Sequence, residues 1–258
     1  MGPRHNDGSA GDANYGAIGG VYARYRRPEP RIAAFIHRAL GEARTVLNVG
    51  AGPGSYEPAD RTVTAVEPSA AMRVQRPSHL TPAIEAVAED LPFTDRHFDA
   101  SMATFTVHQW SDLGRGLLEM RRVTRGPVVI LTSDPDDLDH FWLGGYAPGV
   151  IAAEARRYPP IPMIASALGS NVEVHSVPIP LDCADGFNEA YYGRPEMLLD
   201  PMARQACSAW TFVDRRETDG FVRALTDDLA SGAWDAKFGY LRRQAEFDGS
   251  LRLVVGQP

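Results

Sequence analysis

The chain has 258 residues and a net charge of −7, and hydrophobic residues make up 44% of it. This length suits one large domain or one domain with an inserted cap, and the composition excludes a disordered or collagen-like chain. The two cysteines, Cys183 and Cys207, exclude a disulfide framework and a cysteine-rich zinc site.

The first half of the chain alternates between strand and helix patterns. Residues 1–14, rich in Gly, Asn, Asp and Ser, predict a flexible arm. From Pro30 to Leu40, apolar residues recur at spacings of three and four, which predicts an amphipathic helix. The other predicted elements are strands at Val46–Val49, Thr62–Pro68, residues 84–90, within Phe98–Trp110 and at Gly126–Asp134, and a helix at Asp112–Thr124. This alternation predicts βαβ units and therefore an α/β fold with a parallel sheet.

The second half is less regular and contains many aromatic residues. We predict helices at Ile151–Pro159, over most of Asp182–Trp210 and around Asp219–Ser231, and strands at Asn171–Pro180 and Arg252–Val255. The expected organisation is an arm (1–14), a core with an N-terminal lid (15–135), a substrate cap (136–215) and a C-terminal helix and strand that complete the core (216–258).

A glycine cluster and two acidic residues follow successive predicted strands. Gly50, Gly52 and Gly54 come directly after the first strand, where a tight turn or a closely approaching ligand requires glycine. Glu67 ends the second strand, and its carboxylate can accept hydrogen bonds from both hydroxyls of a ribose. Asp90 ends the third strand and can accept a hydrogen bond from an adenine amino group. Because ligands bind beyond the carboxyl ends of parallel strands, these residues predict a nucleoside site.

These motifs, in this order, resemble those of the class I S-adenosylmethionine (SAM) dependent methyltransferases. The similarity is greatest to the type 11 group, which includes the ubiquinone/menaquinone-biosynthesis methyltransferases. The resembling segments, VLNVGAGPGSYEP, VEPSAAM, AEDLPF, FDASMATFTVHQW and VVIL, fall within residues 20–135. The resemblance implies a Rossmann-like, mostly parallel sheet with an antiparallel last strand. It also implies that SAM is the methyl donor and S-adenosylhomocysteine (SAH) the product.

The resemblance also implies a set of cofactor-binding residues. The glycines would lie along the methionyl and ribose parts of SAM, and Glu67 would hold the ribose. Asp90 and Leu91 would hold the adenine, and Phe105 and Thr106 would flank the sulfonium. The full expected set is Asn48, Gly50, Gly52, Gly54, Glu67, Pro68, Met72, Asp90, Leu91, Phe105 and Thr106.

Two features of the glycine loop bear on the choice of cofactor. The type 11 group usually has an acidic residue two positions before the first glycine, where this chain has Asn48, which keeps an acceptor oxygen but carries no charge. The NAD(P) pattern G-x-G-x-x-G would need a glycine at position 55, where this chain has Ser55, and Pro53 interrupts it. The pattern therefore favours SAM over a nicotinamide cofactor.

His108, just after the fourth predicted strand, is the candidate catalytic base. An ordinary histidine pKa of ~6.5 suits proton removal near neutral pH. The alternative is that His108 packs beside Trp110 and shapes the pocket. The acidic run at residues 134–139 is more typical of a turn that caps a helix than of a cation site, so no metal is expected.

The acceptor is expected to be a small, partly apolar or aromatic molecule, because aromatic residues crowd the predicted cap. O-methylation is placed slightly ahead of N- or C-methylation. The alternative function is a SAM/SAH-binding protein without methyl transfer, which only Asn48 favours. A single lysine, Lys237, and no basic arm argue against nucleic acid.

Several remaining expectations concern location and the N-terminal segment. The absence of a long apolar run and of a signal-peptide pattern predicts a cytoplasmic location without a membrane partner. An aromatic and basic segment precedes the core and predicts a lid over the cofactor. Its residues are Tyr15, Tyr22, Tyr25, Arg26 and Arg27.

Overall fold

A computed structural model describes residues 24–258, which fold around a six-stranded sheet. The strands are Thr45–Val49 (β1), Thr62–Val66 (β2), Ala100–Thr104 (β3), Val128–Ser133 (β4), Val172–Ser176 (β5), Ile179–Pro180 (β6), Glu246–Phe247 (β7) and Leu251–Gly256 (β8). The sheet order is β2-β1-β3-β4-β8-β5, and β6 and β7 form a separate antiparallel pair. Strands β1 to β4 are parallel, whereas β8 runs antiparallel to both of its neighbours. The expectation of a mostly parallel α/β sheet with an antiparallel last strand is confirmed.

Helices cover both faces of this sheet. They are Pro30–Ala39 (α1), Ala70–Arg73 (α2), Leu113–Val123 (α3), Pro148–Arg157 (α4), Ile161–Leu168 (α5), Pro201–Gln205 (α6), Arg215–Ser231 (α7) and Ala233–Phe238 (α8). Helix α1 begins where the Glu29 side chain accepts a hydrogen bond from Arg31 N, with Pro30 in the first turn. The Asp112 side chain caps α3 in the same way. Helices α2, α5 and α8 were not predicted from the sequence.

The core has two parts, one on each face of the sheet. Alternate residues of the fully buried strand β4 point into different parts: Val129 and Leu131 into one, Val128 and Ile130 into the other. The first part joins the apolar side of α1 to the aromatic residues of the second half. The second part packs α3 and α5 against the sheet. A strand covered on both faces is apolar throughout, which explains the VVIL run.

The third predicted strand is reduced to a single bridge. Ile84 pairs with Val66 in the parallel sense, and two hydrogen bonds flank this pair, from Ile84 N to Ala65 O and from Glu67 N to Ile84 O. Beyond Ile84 the chain leaves the sheet. The predicted strand over residues 84–90 is therefore wrong beyond its first residue, and the following residues take a different role described below.

The second half differs from its prediction in two further ways. Strand β5, in the segment expected to form the cap, pairs with β8 at the edge of the main sheet. The stretch Asp182–Trp210 consists of 3₁₀ turns at Asn188–Tyr191, Pro195–Leu199 and Ser208–Phe212 around the short helix α6. The predicted arm, Tyr15 and Tyr22 lie outside the described residues. Within residues 24–258, no helix has the length and apolar character needed to cross a bilayer.

Candidate active site

A cleft opens at the carboxyl ends of β1, β2 and β3. Strand β1 lies between β2 and β3, so the strand order reverses at β1. In α/β folds, ligands bind at such a reversal point. Seven of the eleven expected cofactor residues line this cleft. They are Gly50, Gly52, Glu67, Pro68, Met72, Phe105 and Thr106.

The glycine loop forms one wall of the cleft in a conformation that requires glycine. Gly50 and Gly52 have φ values of 67° and 52°. A Cβ on Gly50 would overlap the Thr106 side chain, so the loop packs directly against the turn after β3. Gly54 also has a positive φ, 96°, but it lines a neighbouring groove rather than the cleft. The loop therefore brings backbone, not side chains, to the cleft floor.

Glu67 lies beside this loop with its carboxylate buried. Its Oε2 accepts a hydrogen bond from Gly52 N and its Oε1 accepts one from Ser69 N, both at 2.8 Å. Burial raises the pKa of Glu67, against the lowering effect of these two bonds. Each carboxylate oxygen keeps a further lone pair. Glu67 can therefore hold the glycine loop in place and still accept hydrogen bonds from a ligand's hydroxyls.

Asn48 is fully buried under the loop, and the carboxylate of Glu57 lies next to its uncharged amide. Asn48 Nδ2 donates to Glu57 Oε1 at 3.0 Å, and Glu57 forms a two-pronged ion pair with Arg76 at 3.0 Å on each arm. Both members of that pair have side chains only 3% exposed. Asn48 Oδ1 has no hydrogen-bond partner in the described part of the chain. Neither Asn48 nor Glu57 lines the cleft, so this buried carboxylate lies beneath the loop rather than in the cleft.

Asp90 and Leu91 lie away from the cleft. Asp90 is exposed, and Leu91 is buried in the core, where its backbone N donates to Glu119 Oε2. Because the chain leaves the sheet after Ile84, residues 87–89 line the cleft instead. Glu89 is buried there, with Oε1 accepting from Ser111 Oγ and Asp112 N. The structure therefore does not bring the carboxylate of Asp90 to the cleft.

Gln109 and Trp110 are among the cleft-lining residues that were not expected from the sequence. They follow His108 in the 3₁₀ turn Val107–Gln109 and just after it. Their position in the FTVHQW motif, directly after β3, was the available signal. Side chains in a tight turn point in different directions, so neighbours in sequence can line different cavities.

Phe105 separates the cleft from a second, smaller pocket. Phe105 lines both cavities and has a φ of 51°, a conformation that non-glycine residues adopt at a cost and mainly at functional sites. The second pocket is a narrow cavity of about 20 Å³. It is lined by Arg26, Phe105, His108, Glu154, Tyr158, Phe187 and Asn188, with residues 206–208. Phe105 is the residue that this pocket shares with the cleft.

His108 lies in this second pocket. Burial, followed by the charges of Arg157 and Arg26, lowers the pKa of His108 well below its usual value. Its Nδ1 is buried and has no hydrogen-bond partner within residues 24–258. The ring lies 4.6 Å from the Tyr158 ring, centre to centre. The imidazole is therefore neutral near pH 7 and has a nitrogen available to accept a proton, while it also packs against an aromatic ring.

The N-terminal segment contacts the second pocket and the cap. Arg26 forms an ion pair with Asp185 at 2.5 Å and lies over the Phe105 ring, 5.1 Å from its centre. Tyr56 O–H donates to the same Asp185 carboxylate at 2.8 Å. Tyr25 O–H donates to Asp200, whereas Arg27 is exposed. Asp185 thus joins the segment before α1, the glycine loop and the cap.

The acidic run and the cysteines serve structural roles. Residues Pro135–His140 form a 3₁₀ turn that Asp134 caps, and Asp137 pairs with Arg252. No cluster of three or more potential metal ligands occurs among the residues that the structure describes. Cys183 and Cys207 are buried, and burial raises the pKa of both thiols to about 12, which leaves them protonated at neutral pH.

Comparisons with known proteins agree with this geometry. A family model described as a methyltransferase domain matches residues 47–130. Malonyl-[acyl-carrier protein] O-methyltransferases from Erwinia billingiae and Pseudescherichia vulneris are 33% and 32% identical over 144 and 130 residues. These matches cover 53% and 47% of this chain and 56% and 52% of the relatives. The chain thus spans about half the length of the curated relatives that it matches.

Solved structures match over more of the chain. A putative methyltransferase from an antibiotic biosynthesis pathway of Anabaena variabilis is 28% identical with a TM-score of 0.84, covering 92% of this chain and 100% of that one. A SAM-dependent methyltransferase of Thermotoga maritima, 15% identical with a TM-score of 0.53, covers 94% of this chain and 93% of that one. The second likeness shows the shared fold alone.

The residues present fit SAM. The glycine loop leaves no space for a Cβ at Gly50, and the buried Glu67 carboxylate is held beside it, as a ribose-binding group must be. The cleft joins these polar groups to the apolar side chains of Met72 and Trp110, which suit a nucleoside. Residues 47–130 thus match the methyltransferase-domain family, and the fold and the cleft of the chain are similar to those of SAM-dependent methyltransferases.

Proposed function

We propose that the protein methylates an oxygen atom of a small, partly apolar acceptor bound in the pocket behind Phe105. The observation that carries this proposal is His108: a buried, neutral imidazole whose Nδ1 has no partner among the described residues, in a pocket that shares Phe105 with the cofactor cleft. The finer elements, oxygen as the acceptor atom and His108 as its base, rest on this geometry.

SAM, when bound, supplies a methyl group on a positively charged sulfur, and its transfer leaves the neutral thioether SAH. The chain's own residues align the two reactants and move one proton. Glu67 and the glycine loop fix the donor, and Phe105 lies between the two cavities. His108 Nδ1 accepts the proton of the acceptor hydroxyl as the oxygen–methyl bond forms. Most of the rate enhancement then comes from alignment and exclusion of water.

The pKa of His108 limits which acceptor hydroxyls it can deprotonate. A lowered pKa keeps the imidazole in its proton-accepting form but makes it a weaker base, so its acceptor should have a comparatively acidic hydroxyl. A phenol, with a pKa of about 10, is far more acidic than an alkyl alcohol. The aromatic side chains of Phe105, Phe187 and Tyr158 line the same pocket and suit a flat ring. We therefore propose a phenolic or enolic acceptor.

The relatives support oxygen as the acceptor atom. The two curated relatives are named O-methyltransferases, although the chain spans about half of their length. An amine acceptor would need little help from a base.

The test is methyl transfer from labelled SAM to a panel of small phenols, enols and amines, with wild-type protein and His108→Ala. We expect the label on oxygen, and we expect the variant to lose about 100-fold or more in kcat while its affinity for SAH stays within about twofold. Ser208→Ala, in the same pocket but without an acid–base group, is the matched control. Equal turnover of wild type and His108→Ala would leave His108 a packing residue, and label found only on nitrogen would contradict the choice of acceptor atom.

A further inference from the structure

Gln109 is an unpaired polar side chain in the wall of the cofactor cleft. It is only 6% exposed, and it lines the cleft. Neither Oε1 nor Nε2 of its amide has a hydrogen-bond partner among residues 24–258. A buried amide without partners costs free energy, and natural proteins rarely retain one without a reason. The backbone of Gln109 is fixed by its N–H bond to Thr106 O, so the side chain starts from a defined position.

Apolar side chains, including that of the next residue, Trp110, line the cleft together with Gln109. Trp110 and Ala88 line the same part of the cleft, and the Trp110 ring is held against Gly116, where a Cβ would lie 2.5 Å from the indole. Val87 continues this wall. An apolar wall with an aromatic ring suits one face of a purine, whereas the charged methionyl end of SAM needs polar partners such as those near the glycine loop.

The carboxylates near this wall differ from Gln109 in position or in bonding. Asp90 is exposed and outside the cleft. Glu89 lines the cleft, and Ser111 Oγ and Asp112 N both donate to its Oε1, at 2.8 and 2.9 Å. Among the cleft-lining residues within 24–258, Gln109 has a buried amide whose oxygen and nitrogen both lack a hydrogen-bond partner.

We propose that Gln109 recognises the adenine of the cofactor through the 6-amino group and a neighbouring ring nitrogen, and so determines the choice of base. A carboxamide presents one acceptor and one donor side by side, and adenine presents the complementary pair, an amino donor next to a nitrogen acceptor. This inference rests on the proposed function, since it assumes that SAM occupies the cleft. Gln109 would then make the hydrogen bond to the adenine amino group that was expected of Asp90.

The test compares the affinity of the protein for SAH with its affinity for the SAH analogue in which hydrogen replaces the 6-amino group. Titration calorimetry on wild type, Gln109→Met and Gln244→Met gives six dissociation constants. We expect wild type to bind SAH about tenfold or more tightly than the analogue. Gln109→Met should bind SAH about tenfold more weakly and should distinguish the two ligands by less than about twofold. Gln244→Met, the same change away from the cleft, should keep both wild-type values.

The ligand-free proteins supply a second readout. Replacing an unpaired buried amide by an apolar side chain of similar size should leave the melting temperature of Gln109→Met unchanged or raise it, whereas a side chain that held the fold together would lower it. Equal wild-type affinity for SAH and the analogue would overturn the inference without any variant. An undiminished preference for SAH in Gln109→Met would overturn it too. If wild type bound neither SAH nor the analogue, the cofactor assignment itself would fail.

Discussion

We propose two roles for the Glu67 side chain. Its carboxylate accepts backbone hydrogen bonds from Gly52 and Ser69, which fixes the glycine loop, and the residue lines the cleft with carboxylate lone pairs that remain. A substitution at Glu67 should therefore affect both the loop and a bound ligand. The position of Glu67 at the end of the second strand was predictable from the local sequence pattern.

Glu67→Ala should weaken SAH binding by about 10- to 100-fold, because hydrogen bonds to a charged group contribute about 1.5–3 kcal/mol. Calorimetric titration with SAH measures this change. Glu173→Ala removes a carboxylate from strand β5 at the far edge of the sheet and should leave the dissociation constant unchanged. Unaltered SAH affinity in a folded Glu67→Ala variant would remove Glu67 from the site.

Other residues of the site could not be found by the same reasoning. Glu57 lies beside Asn48 only because the loop after the glycines folds back, and its partner Arg76 comes from the segment after α2. Gln109 is informative only once its amide is seen to be buried without partners among the described residues. Such contacts depend on tertiary structure, which local periodicity does not encode.

At the scale of elements, the sequence predicted strands both inside the sheet and at its edges, where β2 and β5 lie. Strands β1 and β4 lie inside the sheet and are mostly buried, so apolar runs rich in β-branched residues identify them. The segment after Pro82 pairs with β2 only at Ile84. Its later residues form the cleft wall instead, which shows tertiary contacts overriding local preference.

The buried side chain of Glu189 links the 3₁₀ turn Asn188–Tyr191 to Ser250, just before β8. Glu189 accepts hydrogen bonds from Ser250 N and Ser250 Oγ, and it is 3% exposed. Burial raises the pKa of Glu189 to about 7 from an ordinary value of 4.5. Between these two pH values the folded protein holds a proton that the unfolded chain has released, so the contribution of Glu189 to stability falls as pH rises.

Glu189→Gln should remove this pH dependence while keeping the shape of the side chain. The free energy of unfolding of wild type, relative to that of the variant, should fall by about 1.4 kcal/mol per pH unit between pH 4.5 and about 7. Urea titrations at several pH values measure this change. The difference between the two proteins cancels the titration of groups that do not interact with Glu189, whereas Glu154 does interact with it. Parallel stability profiles for the two proteins would contradict the assignment.

At the scale of the whole molecule, segments distant in sequence meet around one site. The carboxyl ends of β1, β2 and β3 form the cofactor cleft, and Arg26, Phe187 and Tyr158 bring the segment before α1, the cap and the end of α4 to the adjoining pocket. The parallel sheet and the glycine loop were predictable from motif order. The lining of the proposed acceptor pocket was not predictable, because the 3₁₀ turns of the second half follow no clear period.

The measurement that tests the central claim most directly is a calorimetric titration of the wild-type protein with SAH and, separately, with NAD. The account predicts saturable binding of one SAH per chain and no detectable binding of NAD. It also predicts that saturating SAH raises the melting temperature, since at 100 times the dissociation constant a ligand adds about 2.7 kcal/mol of stability. Saturable binding of NAD together with no heat and no thermal stabilisation from SAH would contradict it.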